Sequence, residues 1–199
     1  MEIADLLARH KTIKSFGNEY SIIVHPENYR NDMECINACS PTLNDLSVAY
    51  GSRMKVWIQD QIDLLQTITG VRDKLLAHQV VMLIETFMTN GNVKASMLMN
   101  FFHKLISGQY GRFYGKIDIM QIGESWQSYV EYCRSIYKDQ KRMINENKRA
   151  TIEAEKKLQM EKSRENAITY EEFRKIQKEQ SGIDAPAFNQ LLQSIFKTV

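Results

Sequence analysis

The sequence predicts an all-α protein, in which a compact helical bundle is followed by a long charged helix and a C-terminal helical hairpin. Three observations support this fold class. The 199 residues include only three prolines and nine glycines, so long helices meet few breakers. Apolar residues recur at steps of three and four through the middle of the chain, which is the helical period. Capping residues stand at the expected ends of these periodic segments. We therefore divide the chain into four parts: 1–41, 42–137, 138–165 and 166–199.

The first of these parts is predicted to be an arm followed by a loop. Ile3, Leu6 and Leu7 fit one side of a short helix, and the stretch YSIIV (20–24) is typical of either a short strand or an extended arm. Residues 25–42 are rich in Pro, Asn, Asp and Ser, which favour turns. We therefore expect regular structure to begin only after this loop.

The second part is predicted to be the helical core domain. Thr42 and Asp45 have the spacing of a capping box at a helix start. Gly51 predicts a break, and the next stretch of helical periodicity ends near Gly70. The helix expected over 75–89 is apolar nearly all round, so we expect it to be buried on several sides.

Two further helices complete this core domain. The first ends just before Gly108, a residue that accepts the positive φ common after helix C-termini. The second begins after Asp118, whose carboxylate can cap it. Its apolar face is formed by Ile119, Ile122, Trp126, Tyr129, Val130, Cys133 and Ile136.

The third and fourth parts are predicted to be a charged helical arm and a hairpin of two helices. Between 138 and 165 charged residues dominate and apolar ones are few, which is typical of a solvated helix that acts as an arm or a linker. Thr169 and Glu172 have capping-box spacing, and Asp184 can cap a last helix. We expect this hairpin to dock on the main body or on a partner, because two short apolar faces are marginal alone. The docking residues of the tail are predicted to be Phe188, Leu191, Leu192, Ile195 and Phe196.

Composition limits the class of protein. An apolar fraction of 43% can build a core, and a net charge of +2 is too small to make the whole protein a polyanion binder. No apolar run approaches the roughly 18 residues that span a bilayer, and the first residues lack the apolar stretch of a secretory signal. Three cysteines do not form a disulfide framework. We therefore expect a cytoplasmic protein without a membrane partner.

Candidate catalytic and metal-binding residues are few. Cys35 and Cys39 form a single C-x₃-C pair, whereas a structural zinc site usually takes four ligands as two spaced pairs. His78 and His103 lie on apolar helices, and no nearby residues provide a nucleophile with its base. We therefore expect a non-enzymatic protein with no catalytic residues, no metal site and no cofactor.

The segment HKLISGQYGRFYGKID (103–118) is the most unusual in the chain. It places three glycines among aromatic residues, without the spacing of a dinucleotide fingerprint or a P-loop. One interpretation is structural, with tight turns at the glycines and aromatic side chains that cover the end of the core. The other is functional, with aromatic side chains stacking on bases and cations contacting phosphates. The basic run at 138–149 offers a second, salt-sensitive phosphate contact. The candidate contact residues for nucleic acid or a partner are Tyr110, Arg112, Phe113, Tyr114, Lys116, Lys138, Lys141, Arg142, Lys148 and Arg149.

Three stretches together carry a resemblance to a known family. They are PTLNDLSVAYG (41–51), WIQDQIDLLQTITGV (57–71) and MLMNFFHKLISGQYGRFYGKID (97–118). The chain resembles an uncharacterised family of short helical proteins from phages and mobile elements of Bacteroides-type bacteria. The resemblance covers about 40–135. It implies no catalytic residues and favours work linked to DNA replication or maintenance. Its most distinctive residues are Phe101, Phe102, Gly108, Tyr110, Gly111, Phe113, Tyr114 and Gly115.

The sequence leaves three functional hypotheses open. The first is a non-enzymatic adaptor that binds a protein partner through its tail, as an accessory factor in the DNA replication or maintenance of a phage or mobile element. The second is direct nucleic-acid binding through the segment 103–118, called the Gly/aromatic loop below, and through the basic run at 138–149. The third is a structural subunit of a phage particle or of an oligomer.

Overall fold

The all-α class is confirmed. The computed structural model describes residues 3–165 and 169–181, and these form nine α-helices and one 3-10 helix, with no strand beyond isolated bridges. The 3-10 helix spans Pro26–Tyr29. The α-helices are α1 (Ile3–Arg9), α2 (Ile13–Glu19), α3 (Asp32–Asn37), α4 (Leu43–Tyr50), α5 (Arg53–Thr69), α6 (Ala77–Met88), α7 (Ala95–Ile106), α8 (Ile119–Glu165) and α9 (Tyr170–Ser181).

The chain divides into two units, Met1–Arg142 and Met143–Val199, with α8 beginning in the first and ending in the second. Within the described part of the chain, no helix is long and apolar enough to cross a membrane. The predicted last helix, with Phe188, Leu191, Leu192, Ile195 and Phe196, lies outside the described residues.

The N-terminal residues differ from the sequence expectation. The expectation that regular structure begins only after the loop is wrong, because α1, α2, the 3-10 helix and α3 all precede residue 41. Residues 20–24 form no strand. Phe16 is completely buried, its ring stacks on Tyr20 with centroids 4.4 Å apart, and its edge meets Trp57 at 5.2 Å. Aromatic contacts with residues distant in sequence therefore make this segment part of the core of the first unit.

The ends of the central helices follow the sequence prediction. The side chains of Thr42 and Asp45 form a capping box at the start of α4. Helix α4 ends at Gly51, and α5 ends at Gly70 in the left-handed conformation. Asp118 accepts a hydrogen bond of 2.9 Å from the backbone N–H of Met120 and thereby caps α8. Local capping chemistry is therefore sufficient to place these boundaries.

Helix α6 corrects one expectation about burial. It was expected to be buried on several sides, but Val81 and Met82 are each 56% exposed. Its buried residues, which include Leu83 and Phe87, share one side of the helix. Helix α6 packs against α5 on that side and meets solvent on the other. Helix α6 therefore carries more apolar side chains than it buries in the core.

The centre of the first unit is an aromatic cluster between α6, α7 and α8. The ring of Phe101 lies 5.1 Å from that of Trp126 and 5.4 Å from that of Tyr129. Phe87 meets Trp126 edge-on at 5.1 Å. These rings are completely buried, and edge-to-face geometry adds to the free energy of burying their area. The first third of α8, up to Cys133, is thus a core helix, as its apolar face predicts.

The second unit is described here by its α8 and α9 residues alone. Every side chain described in 143–164 and 169–179 is exposed. The predicted capping box at α9 is confirmed, because Glu172 accepts hydrogen bonds from the backbone N–H and the hydroxyl of Thr169. Helix α9 carries three exposed apolar residues at intervals of three, Tyr170, Phe173 and Ile176.

Candidate functional site

A groove on the surface of the first unit is the strongest candidate site. It encloses about 440 Å³ between the end of α3, the turn that leads into α7, and α8. Its floor is apolar and comes from three separate stretches of the chain. The floor residues are Ile36, Val93, Met97, Val130 and Cys133.

Backbone hydrogen bonds hold the middle stretch of the groove in place. The backbone N–H of Leu43 donates to the carbonyl of Val93 at 2.9 Å, and that of Ala95 donates to the carbonyl of Pro41 at 2.8 Å. These bonds join the turn before α7 to the start of α4. Val93 and Lys94 therefore have a fixed position beside α8, independent of any ligand.

The rim of the groove carries three cations. The ammonium group of Lys94 donates to the carbonyl oxygens of Ile36 at 2.8 Å and Ala38 at 2.7 Å. The guanidinium group of Arg134 donates to Oδ1 of Asn90 at 2.8 Å. Lys138, one turn beyond Arg134, is exposed. Lys94 and Arg134 both donate to neutral oxygens, so these hydrogen bonds orient the two cations without pairing them with an anion.

No Asp or Glu is among the described residues that line this groove. The remaining lining groups are the amide of Asn92 and the ring of Tyr137, which is 57% exposed. The charged side chains that line the groove are therefore all cationic. The arrangement can hold an apolar side chain on its floor and an anionic group at its rim.

The Gly/aromatic loop is fastened to the body of the first unit. The ring of Tyr110 lies 5.6 Å from that of Phe101, and the carbonyl of Tyr110 accepts a hydrogen bond of 2.6 Å from Gln121. Burial raises the pKa of the Tyr110 hydroxyl to about 12. The carbonyl of Gly115 accepts from the backbone N–H groups of Arg72 and Asp73 at 2.9 and 3.0 Å. These contacts support the structural interpretation of the loop.

The five contact residues predicted in this loop have different environments. Tyr110 and Phe113 pack against the core, whereas Tyr114 is 86% exposed. Arg112 and Lys116 are also exposed. Gly108, Gly111 and Gly115 have φ of 76°, 97° and 80°, the left-handed region that glycine adopts without a Cβ clash. A role of this loop in binding nucleic acid or a partner stays a prediction. Of the three aromatic side chains predicted to make contacts, only that of Tyr114 is exposed enough to stack on a base.

The predicted basic residues of the arm are all exposed and fall into both units. In the first unit, Lys138 and Lys141 follow Arg134 at i+4 and i+7, so these three lie on one side of α8. Arg142 lies 3.6 Å from Asp139 in an ion pair. In the second unit, Lys148 and Arg149 are exposed on α8. Lys138 thus belongs both to the basic run at 138–149 and to the rim of the groove.

The groups considered for catalysis or metal binding differ in their burial. Cys35 is buried while Cys39 is exposed, and His78, which was placed on an apolar helix, is also exposed. Among the described residues, no group of three or more His, Cys, Asp and Glu side chains could hold a metal ion.

Sequence reasoning missed the groove because its floor combines residues 36, 93–97 and 130–133. One local pattern pointed toward it. Arg134, Lys138 and Lys141 at helical spacing follow directly on the apolar face of α8 that ends near Ile136. A change from an apolar to a cationic side within one helix is typical of the edge of a core.

Comparison with protein families gives a match over the C-terminal part of the chain. A family model matches residues 72–182, which is more than half of the chain. The chain belongs to a family of unknown function (DUF6633). The predicted membership of an uncharacterised family is thereby confirmed. The matched residues include α6 to α9, with Lys94, Arg134 and Lys138 of the groove, but not Ile36. No curated protein and no solved structure matches the chain.

Proposed function

We propose that this protein is a non-enzymatic adaptor that binds a protein partner through the groove of its first unit. The observation that carries the proposal is the combination of an apolar floor with three rim cations and no lining carboxylate. Protein interfaces commonly combine an apolar centre with a charged rim, in which the centre supplies affinity and the rim supplies orientation. A groove held open by backbone bonds and oriented cations also binds at a low entropic cost.

Helix α9 supports a second contact surface on the same protein. Tyr170, Phe173 and Ile176 share one side of α9 and are 73%, 46% and 40% exposed. An amphipathic helix with an exposed apolar side is the element that docks into the grooves of other proteins. Two binding surfaces, one in each unit, are what an adaptor requires.

In-cell photo-cross-linking tests this proposal. Tyr137 at the rim of the groove is replaced by p-benzoylphenylalanine, an aromatic residue that forms covalent bonds with neighbouring chains under ultraviolet light. Tyr132 is the matched control, because it lies on the same helix, is 50% exposed and does not line the groove. We expect an adduct with another protein at position 137 and none at position 132. Phe173 and Lys175, on different sides of α9, form the equivalent pair for the second surface.

Each result of this experiment has a defined meaning. Equal labelling at positions 137 and 132, or no adduct at 137, contradicts groove-mediated binding. An adduct between two copies of the same chain contradicts the adaptor and favours the structural-subunit alternative. Mass spectrometry of the adduct distinguishes these cases, because it identifies the sequence of the attached chain.

Direct nucleic-acid binding is the second candidate function, favoured by the alignment of Arg134, Lys138 and Lys141 on one side of α8. Phosphate contacts by such residues give affinity that falls steeply with salt. Fluorescence anisotropy with a labelled single strand and a labelled duplex, at about 50 mM and about 200 mM salt, tests it. The variant Lys138→Glu with Lys141→Glu should weaken binding, whereas Lys11→Glu with Lys14→Glu changes the net charge equally and should not. Absence of binding at the lower salt rejects this candidate.

We also propose a biological setting, which is supported by the sequence resemblance alone. In this setting the protein is a cytoplasmic accessory factor in the DNA replication or maintenance of a phage or mobile element. The genes beside that of this protein test the setting. Neighbouring helicase or primase genes would support it, and neighbouring virion genes would favour the structural-subunit alternative.

A further inference from the structure

We infer that the groove binds an acidic amphipathic segment of another protein, in which Asp or Glu residues flank aliphatic side chains. This inference rests on the proposed function and names the class of partner for that same site. The volume of about 440 Å³ falls within the range of about 300–1,000 Å³ that is usual for specific ligand sites.

The floor of the groove determines the apolar half of the partner. Ile36, Val93 and Val130 are all more than nine-tenths buried, so only small parts of their side chains face the groove. The half-buried Met97 adds a flexible side chain that can adapt to different shapes. An aliphatic side chain on this floor exchanges water for close contacts, whereas a polar group there would lose its hydrogen bonds.

The rim determines the charge of the partner. Lys94 and Arg134 are oriented by neutral oxygens, and Lys138 stands one turn beyond Arg134. A carboxylate that reaches this rim gains charge-assisted hydrogen bonds and displaces no acidic competitor from the groove. A basic partner segment would meet like charges, which disfavours it by the same interaction.

The shape of the site favours a peptide over a nucleic acid. Sequence-tolerant nucleic-acid sites combine several stacking rings with a continuous cationic track. This groove has one ring, Tyr137, beside an aliphatic floor. A helix that lays its apolar side into a groove instead uses anchors at i, i+3 or i+4 and i+7, which an apolar floor with charged edges accommodates.

Selection from a library of random peptides of about 15 residues, long enough for four helical turns, tests the inference on the full-length protein. We expect the enriched sequences to combine Asp or Glu with Leu, Ile, Met or Phe at helical spacing. A fluorescent synthetic peptide of the selected sequence is then titrated by anisotropy. We expect Arg134→Glu with Lys138→Glu to weaken its binding by about ten-fold or more, since each substitution replaces an attraction with a repulsion.

Two control variants keep the result interpretable. Lys11→Glu with Lys14→Glu changes the net charge equally at exposed positions of the N-terminal part and should leave peptide binding within about two-fold. Arg134→Gln with Lys138→Gln, which removes the charges without reversing them, should give an intermediate loss. Thermal unfolding of every variant confirms that the first unit remains folded.

Three results would each overturn the inference. They are enriched peptides that are basic or uncharged, the absence of any enriched peptide, and peptide binding that is unchanged in the variant Arg134→Glu with Lys138→Glu. A single-stranded oligonucleotide that displaces the selected peptide and binds more tightly would overturn it in favour of nucleic acid. If position 137 cross-links to a protein while the selected peptides are not acidic, the adaptor proposal stands and the partner class is wrong. If position 137 gives no adduct, the adaptor proposal itself fails.

Discussion

The hydroxyl of Tyr129 donates a hydrogen bond of 2.8 Å to Oδ1 of Asn100 in the centre of the first unit. The side-chain amide of Asn100 in turn donates to the carbonyl of Tyr29 at 2.6 Å. Asn100 and Tyr129 are completely buried, and burial raises the pKa of the Tyr129 hydroxyl far above its usual value. One buried amide thus joins α7, α8 and the N-terminal 3-10 helix.

Asn100→Ala should destabilise the first unit by about 2–4 kcal/mol, because it removes the buried acceptor of the Tyr129 hydroxyl and the buried side-chain donor to the Tyr29 carbonyl. Tyr129→Phe should cost about 1–3 kcal/mol, since it leaves Oδ1 of Asn100 without its buried donor while the Asn100 bond to the Tyr29 carbonyl remains. Urea unfolding followed by tryptophan fluorescence measures both, because Trp57 and Trp126 are buried in this unit. The exposed amide of Gln59 is the control, and Gln59→Ala should change the free energy of unfolding by less than about 0.5 kcal/mol. An Asn100→Ala effect as small as that of the control would contradict the network.

The N-terminal helices should be required for the stability of the first unit. Phe16→Ala removes a completely buried ring that stacks on Tyr20 and meets Trp57, so we expect a loss of about 3–5 kcal/mol. Leu7, which is 38% exposed on α1, provides the control, and Leu7→Ala should cost less than about 1 kcal/mol. Denaturant titration compares the two. A Phe16→Ala protein as stable as the Leu7→Ala protein would show that this segment is not part of the core.

This N-terminal segment also marks the limit of what the sequence predicts. The ends of α4, α5, α7 and α8 depend on neighbouring residues, such as Thr42 with Asp45 or Gly108 after α7, so they can be predicted locally. Helices α1 to α3 have six or seven residues each, too few for a clear period. Their burial depends on contacts such as Phe16 with Trp57, which no local pattern contains. The groove escaped prediction for the same reason, because Ile36, Val93 and Val130 meet only after folding.

The three cysteine thiols should react with a thiol reagent at different rates. Burial raises the pKa of Cys35 to about 12 and also raises the pKa of Cys133, whereas the side chain of Cys39 is exposed. Since the thiolate is the reactive form, an aromatic disulfide reagent at about pH 8 should label Cys39 rapidly and the other two only on unfolding. Absorbance of the released thiolate counts the sites, and Cys39→Ser should abolish the fast phase. A fast phase that persists in Cys39→Ser would show that the core around Cys35 or Cys133 opens readily.

Two glycine substitutions should have opposite effects on stability. Gly115 has a φ of 80° within the Gly/aromatic loop, so Gly115→Ala should cost about 1–2 kcal/mol in backbone strain. Gly123 lies inside α8, where an added Cβ would meet its nearest neighbour, Thr86, at an ordinary 4.0 Å. Gly123→Ala should therefore stabilise the protein by about 0.5–1 kcal/mol. Thermal unfolding measures both changes in stability. If Gly115→Ala leaves the stability unchanged, the loop does not hold residue 115 in the left-handed conformation.

Hydrogen–deuterium exchange of the full-length protein, alone and with the partner captured through position 137, tests directly whether the groove is the surface that binds a protein partner. If the groove is the binding site, amides in 92–97 and 130–138 exchange more slowly in the complex, because these segments form its wall and rim. If exchange in both segments is unchanged while other surfaces of the first unit become protected, the partner binds elsewhere and the groove is not the binding site.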